Sequence, residues 1–149
     1  MGKLQDQIVI VTGGASGIGR GCAELFAAEG ATVVVADIQD DAGRKLADSL
    51  AGAYVKVDVT DPVSVEALLK SVVDRYGRID VLMNNAGIDG EPAVTADSTL
   101  ENWRRVLAIN LDGVYYGMKY ALPTLVKQRS GVILNTASTV GLNAMGGLP

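Results

Sequence analysis

The sequence predicts an α/β fold: a doubly wound parallel sheet with helices on both faces. Short β-branched runs alternate with helical patterns from one end of the chain to the other. A glycine-rich turn joins the first strand to the first helix, and no repeat, low-complexity tract or linker marks a domain boundary. Strands that alternate with helices of about 10 to 15 residues indicate parallel pairing with right-handed crossovers.

The first half of the chain contains three strand patterns and three helix patterns. Continuous apolar runs are typical of strands buried on both faces of a parallel sheet. Asp61 followed by Pro62 is a typical helix start, whereas Gly30 and Gly77 are typical helix ends. The predicted strands are 8–11, 33–36 and 54–57, and the predicted helices are 17–29, 41–50 and 62–76.

The second half continues the alternation with a strand over 79–83, separate helices over 100–109 and 112–128, and a fifth strand over 132–134. Helical spacing predicts one packing stripe on the last helix. Its members are Leu111, Val114, Tyr115, Met118 and Leu122. The fifth strand is expected to form an open parallel edge with uncovered apolar surface beside it.

Composition excludes several classes of function. The net charge is −4 with scattered Lys and Arg, which argues against a nucleic-acid partner and an anionic membrane surface. Apolar runs are too short to span a bilayer. A single cysteine, Cys22, gives no internal disulfide, and the absence of histidine removes the commonest metal ligand. We expect a cytoplasmic protein without a metal site.

The turn from Thr12 to Gly19 is the strongest functional signal. It lies between a buried strand and a helix, where glycines let the backbone approach a pyrophosphate. The free N–H groups and the dipole of the helix start then bind that anion. No Gly-Lys-Ser/Thr follows, so a mononucleotide P-loop is not indicated. A tight turn of purely structural function is the alternative.

Asp37, at the end of the second strand, indicates which dinucleotide is bound. A carboxylate there accepts hydrogen bonds from the adenosine ribose hydroxyls and repels a 2′-phosphate. Ser16 and Ile38 stand where an Arg or Lys would favour that phosphate. The expected cofactor is therefore NAD rather than NADP, and a solvated Asp at a strand end is the alternative interpretation.

Thr-Gly-x-x-x-Gly-x-Gly, followed by further motifs in order, resembles the short-chain dehydrogenase/reductase family over nearly the whole chain. The resemblance implies that Asp58 and Val59 contact the adenine, and that Asn84 to Gly87 steady the sheet and pass the cofactor ribose. It also implies that Asn110 holds a water of a proton relay and that Ser138 orients the substrate oxygen. The implied cofactor-binding residues are Gly13, Ser16, Gly17, Ile18, Gly19, Asp37, Ile38, Asp58, Val59, Asn85, Ala86 and Gly87; the implied catalytic residues are Asn110 and Ser138.

In this family a tyrosinate removes the substrate proton, and a lysine four residues later lowers the pKa of that tyrosine. The pair belongs about a dozen residues after the serine, beyond Pro149. Tyr115 and Lys119 have the same spacing but precede the fifth strand, so we interpret them as packing residues. The expectation is an NAD-binding Rossmann domain over 1–149 that lacks its C-terminal strands and is inactive alone.

The leading functional hypothesis is an NAD-dependent oxidoreductase acting on a secondary alcohol or ketone. A non-catalytic NAD-binding or regulatory module is the rival hypothesis. An extended-family epimerase or dehydratase is disfavoured because its loop usually runs Thr-Gly-x-x-Gly-x-x-Gly. The resemblance also implies a homodimer or homotetramer that associates through the helices between Leu100 and Gln128.

Overall fold

A computed structural model describes residues 2–141 and places five strands in one sheet. The strands are β1 (Ile8–Thr12), β2 (Thr32–Asp37), β3 (Ala53–Lys56), β4 (Val81–Asn84) and β5 (Val132–Asn135). Their order across the sheet is β3-β2-β1-β4-β5, and every neighbouring pair is parallel. The predicted doubly wound α/β fold is confirmed.

Helices connect successive strands and cover both faces of the sheet. They are α1 (Gly17–Ala28), α2 (Asp40–Ser49), α3 (Pro62–Tyr76), α4 (Leu100–Leu107) and α5 (Gly113–Gln128). A π turn (Ala108–Asp112) joins α4 to α5, and a short 3₁₀ turn (Thr139–Gly141) follows β5.

The two faces of the sheet form two separate apolar clusters because side chains alternate along a strand. Ile8 and Ile10 of β1 pack in the cluster that contains residues of α3 and α5. Val9 and Val11 pack in the opposite cluster, with residues of α1 and α2. Both faces of β1 are therefore buried, which is why its sequence reads as an unbroken apolar run.

The start of the fourth strand differs from the prediction. Ile79 is buried but lies before β4, because its backbone bonds to a side chain instead of a neighbouring strand. The Ile79 N–H donates to Gln128 Oε1 at 3.1 Å, and the Ile79 carbonyl accepts from Gln128 Nε2 at 2.7 Å. The sequence pattern shows that such a residue is apolar and buried. It does not show that its backbone groups bond to a side chain rather than to a neighbouring strand.

The two long helices were predicted to be separate, but the π turn makes them continuous. The predicted packing stripe of α5 is also wrong for three of its members. Leu111, Tyr115 and Leu122 are 58%, 55% and 46% exposed. The residues buried along α5 are Gly113, Gly117, Ala121 and Leu125. Small residues let the helix approach the sheet closely: a Cβ on Gly117 would overlap the Asn84 amide.

Candidate functional site

A cleft of about 670 Å³ opens where the carboxyl ends of the parallel strands meet. Its volume lies within the range of roughly 300–1,000 Å³ that is usual for ligand sites. The strand order reverses direction on either side of β1, and ligands of open α/β sheets bind at such a switch point. The cleft is lined by every predicted site residue except Gly19.

The glycine turn forms one wall of the cleft. Gly13 and Gly17 have φ values of 63° and 52°, in the left-handed region that glycine adopts without steric cost. A Cβ on Gly13 would stand 2.8 Å from the Ala86 Cα, whereas one on Gly17 would meet nothing within 4 Å. The turn thus packs tightly against the loop after β4 and leaves open space beside the start of α1.

The N-terminus of α1 is prepared for an anion. Ser16 occupies the N-cap position, but its side chain makes no capping hydrogen bond, and the first turn holds no acidic residue. Backbone N–H groups at a helix start have no partner within the helix. With Ser16 and Ile18 both on the cleft wall, this arrangement fits a pyrophosphate.

Gly19 lies behind the turn rather than on the cleft surface. A Cβ at this position would overlap the Gly13 carbonyl oxygen. Gly19 therefore allows α1 to approach the turn closely and does not contact a ligand.

Asp37 joins the end of β2 to the glycine turn. The residue is buried, with 5% exposure, yet it lines the cleft. Oδ2 accepts from the Ala15 N–H at 2.9 Å, and Oδ1 accepts from the Gln39 N–H at 3.0 Å. A carboxylate has about four acceptor sites, so these two bonds leave capacity for the hydroxyls of a ribose.

Asp58 and Val59 follow β3 on the adjoining wall. Asp58 Oδ1 accepts from the backbone N–H of Thr60 at 2.9 Å and from its hydroxyl at 2.7 Å. The Asp58 N–H in turn donates to Ser64 Oγ at 3.1 Å. Val59 packs against Gly113, where an added Cβ would approach to 3.1 Å. These contacts fix the carboxylate of Asp58 at the mouth of the cleft.

Thr12 links two segments of the site, a role that the sequence reasoning missed. Its hydroxyl accepts from the N–H groups of Asn85 and Ala86 at 3.0 and 3.2 Å. It donates to the Met83 carbonyl at 3.3 Å. The hydroxyl therefore joins the end of β1 to the chain leaving β4, and its position directly before Gly13 is the signal that could have identified it.

The Asn85 side chain makes its hydrogen bonds to other residues of the protein, although Asn85 lines the cleft. Its Nδ2 donates to the carbonyls of Thr12 and Gly13 at 3.1 and 3.3 Å. Its Oδ1 accepts from the Thr136 hydroxyl at 3.3 Å. Ala86 and Gly87, which follow it on the cleft wall, present little side-chain bulk to a ligand.

Asn110 lies within the π turn and pairs with the backbone of the loop after β4. Its Oδ1 accepts from the Ile88 N–H at 2.9 Å, and its Nδ2 donates to the Ile88 carbonyl at 2.8 Å. Both polar groups of the side chain thus bond to Ile88. Each of these groups makes one bond to Ile88, so a water held by this residue can bond to the second N–H of Nδ2, the second lone pair of Oδ1 or the backbone carbonyl.

A second asparagine repeats this arrangement and was not identified from the sequence. Asn102 is buried in α4, and its Oδ1 accepts from the Glu91 N–H at 2.9 Å. Its Nδ2 donates to the Glu91 carbonyl at 3.4 Å. The segment from Ile88 to Glu91 is therefore fixed at both ends to the α4–π turn helix.

Ser138 lines the same cleft as Asn110, just beyond β5. It is exposed, and among residues 2–141 its Oγ accepts one long hydrogen bond, from the Val140 N–H at 3.3 Å. Tyr115 and Lys119 do not line the described cleft. Tyr115 packs edge-on to Tyr116, and the Lys119 ammonium lies over the Tyr120 ring.

Charged residues lie beside Asp37, next to the cleft. Asp40 binds Lys56 Nζ at 2.7 Å and Arg44 Nη2 at 3.2 Å. Hydrogen bonding to Lys56 is the chief reason why the pKa of Asp40 is lowered. The Tyr54 hydroxyl donates to the Asp37 carbonyl at 2.8 Å, and its burial, together with the nearby Asp40 charge, raises the pKa of Tyr54 to about 12.

Within residues 2–141, no group of three or more acidic, His or Cys residues is placed to bind a metal ion. Within the same residues, no helix is both long and apolar enough to cross a membrane.

Comparison with known proteins identifies relatives along nearly the whole chain. A family model described as short chain dehydrogenase matches residues 7–149. Mitochondrial borneol dehydrogenase of Lavandula x intermedia is 40% identical over 145 residues, covering 97% of this chain and 56% of that protein. Meso-2,3-butanediol dehydrogenase of Serratia marcescens is 41% identical over 143 residues, covering 94% and 56% respectively.

The fold leads to the same family. The crystal structure of levodione reductase matches with a TM-score of 0.94 and 34% sequence identity, covering 98% of this chain and 59% of that one. The chain spans a little over half the length of the curated relatives it matches. Family match, sequence identity and fold agree, so the chain belongs to the short-chain dehydrogenase/reductase family.

Proposed function

We propose that the chain forms the NAD-binding and substrate-orienting part of an oxidoreductase that interconverts a secondary alcohol and a ketone. The observation that supports NAD most directly is the buried Asp37 carboxylate on the cleft wall, bonded to the glycine turn through the Ala15 N–H. A fixed negative charge at that point accepts ribose hydroxyls and repels a 2′-phosphate.

The cleft residues divide the binding work between them. The N-terminus of α1 binds the pyrophosphate, Asp37 the adenosine ribose, and Asp58 with Val59 the adenine. Gly13, Ser16, Gly17, Ile18 and Ile38 shape the wall between these groups, while Asn85, Ala86 and Gly87 border the nicotinamide ribose. Bound NAD supplies hydride transfer at its nicotinamide ring.

Ser138 is proposed to donate its hydroxyl hydrogen to the substrate oxygen, since the residue lines the cleft and its Oγ accepts a long hydrogen bond from the Val140 N–H. Asn110 is proposed to fix the loop beside that oxygen and to hold a relay water. No tyrosine or lysine lines the cleft within the described residues. We therefore expect the 149-residue chain alone to produce no NADH from simple secondary alcohols. For the same reason, a non-catalytic NAD-binding module is the second candidate function.

Two further parts of the proposal concern cellular context. A lone cysteine, Cys22, supports a cytoplasmic location because it requires no oxidising compartment. Exposed apolar side chains on the α5 surface support self-association into a homodimer or tetramer.

Fluorescence titration with NADH and NADPH tests the proposal. The wild-type chain is expected to bind NADH at least tenfold more tightly, because the second phosphate of NADPH meets the Asp37 charge. Asp37→Asn keeps the size of the side chain and removes its charge, so the ratio of the two dissociation constants should approach one. Tighter binding of NADPH by the wild-type chain would refute the assignment of NAD.

A further inference from the structure

Two cations, Lys56 and Arg44, stand beside the end of β2 but outside the lining of the cleft, and the NAD preference leaves their placement unexplained. Lys56 ends β3, directly opposite Asp37 in the parallel register of β2 and β3. Residues paired in this way lie about 5 Å apart and point to the same face of the sheet. A lysine has a flexible four-carbon stem, so its ammonium can reach a phosphate carried by a ribose at Asp37.

Arg44 lies on the same side. Its guanidinium carbon stands 5.1 Å from the centre of the Tyr54 ring, and the Tyr54 hydroxyl reaches the Asp37 carbonyl at 2.8 Å. Two positive side chains therefore stand close to the point where a 2′-phosphate would bind. Cations in this position would ordinarily favour NADP.

Asp40 binds both of these cations. One carboxylate oxygen accepts from Lys56 Nζ at 2.7 Å and the other from Arg44 Nη2 at 3.2 Å. The position of Asp40 is itself fixed, because it begins α2 directly after Gln39, whose N–H donates to Asp37 Oδ1. One carboxylate thus binds two positive side chains three residues beyond the ribose-binding aspartate.

We propose that Asp40 is a second determinant of cofactor specificity, which excludes the 2′-phosphate by binding Lys56 and Arg44. Asp37 acts by direct repulsion, and Asp40 acts by withholding the cations that could offset that repulsion. This inference rests on the proposed NAD-binding function and adds to it a residue outside the family motifs quoted above.

The alternative is that Asp40 only stabilises α2, since acidic residues are favourable in a first helical turn. Asp41 separates the two explanations. It is also in the first turn of α2 and carries the same charge, but among the described residues it forms no ion pair. Asp41→Asn therefore reproduces the change in charge and helix dipole without releasing Lys56 or Arg44.

The experiment compares Asp40→Asn, Asp41→Asn and the wild-type chain in titrations with NADH and with NADPH. Asp40→Asn is expected to bind NADPH roughly fivefold to tenfold more tightly, as two freed charges near a phosphate should give. Its NADH dissociation constant should stay within twofold of wild type, and Asp41→Asn should change neither constant by more than twofold. Both ion pairs of Asp40 are exposed to solvent, so the variants should fold.

Two further measurements assign the effect to the cations. Adding Lys56→Gln to Asp40→Asn should reverse most of the gain in NADPH affinity. Raising the salt concentration should also diminish that gain, because exposed charges are screened. Where wild-type binding of NADPH is too weak to measure, the same series is made in the Asp37→Asn background.

Each outcome has a definite meaning. An unchanged NADPH affinity in Asp40→Asn, or an equal gain in Asp41→Asn, overturns this inference and leaves the NAD assignment intact. A gain that persists in Asp40→Asn with Lys56→Gln overturns the role of Lys56. Absence of NADH binding by a folded wild-type chain overturns the proposed function and this inference together.

Discussion

Buried polar side chains at the carboxyl edge of the sheet join its separate segments. Thr12, Asp37 and Asn84 are 5%, 5% and 3% exposed, and each bonds to a group on another segment. A buried polar group left without a partner costs roughly 1–3 kcal/mol. Such residues therefore stabilise the fold and shape the cleft through the same hydrogen bonds.

Thr12→Val tests this at a single residue. Valine has a similar shape, but it leaves the N–H groups of Asn85 and Ala86 without their acceptor. We expect the free energy of unfolding in urea to fall by about 1–3 kcal/mol. Thr12→Ser keeps the hydroxyl and should lose much less; equal stability of the valine and serine variants would show that the hydroxyl contributes nothing.

At the residue scale, the sequence predicted which side chains lie at the cleft better than it predicted their hydrogen-bond partners. Asp37 ends one buried strand and the glycines follow another. Because the strands are parallel, their carboxyl ends meet at one edge of the sheet, and the sequence therefore places both groups at the cleft. The partner of Asn85 Oδ1 is Thr136, 51 residues away, and no local pattern encodes that contact. For the same reason the pairing of Asn102 with Glu91 could not be anticipated.

At the scale of elements, α1 depends on one close approach to the glycine turn. Gly19 and Gly21 both lie in this helix, two residues apart, but only Gly19 faces an obstacle. A Cβ on Gly19 would overlap the Gly13 carbonyl, whereas one on Gly21 would meet nothing within 4 Å. Alanine should therefore have opposite effects at the two positions.

Gly21→Ala should raise the free energy of unfolding by about 0.5–1 kcal/mol, since alanine is the better helix former. Gly19→Ala should lower it by about 1–3 kcal/mol, because overpacking outweighs that gain. It should also weaken NADH binding by displacing the turn. Thermal or urea unfolding measures the stability of both variants. Stabilisation by Gly19→Ala would contradict the predicted overlap.

Strands and most helix ends were predictable because local residues determine them. Asp61 caps α3 by accepting from the Val63 N–H at 2.9 Å, and Gly77 ends it with a φ of 75°. The buried face of α5 was not predictable in this way. Large apolar residues there point outward, and small ones permit contact with the sheet, so hydrophobic spacing alone selected the wrong face.

At the scale of the whole molecule, the outward apolar residues of α5 and its preceding turn form a continuous stripe. Leu111, Tyr115, Leu122 and Val126 are each between 46% and 70% exposed. Contiguous apolar surface of this kind is typical of interfaces between proteins. It supports the proposed homo-oligomer, with the stripe of one chain packed against that of another.

Val126→Glu tests the proposed association. A charge buried in an apolar interface is strongly unfavourable, so we expect sedimentation velocity to show a shift from oligomer to monomer. Lys127→Glu, at the adjacent position off the stripe, changes the charge by a larger amount than Val126→Glu and should still leave the mass unchanged. An oligomer that survives Val126→Glu would place the interface elsewhere.

The position of β1 in the middle of the sheet has a consequence for the order of folding. Ile8 pairs with Thr32 across 24 residues, whereas Val9 pairs with Val81 across 72. Closing the longer loop costs about 1 kcal/mol more in chain entropy. We therefore expect the β1–α1–β2 unit, which contains the glycine turn and Asp37, to form early, before Asn85 and Ser138 complete the cleft.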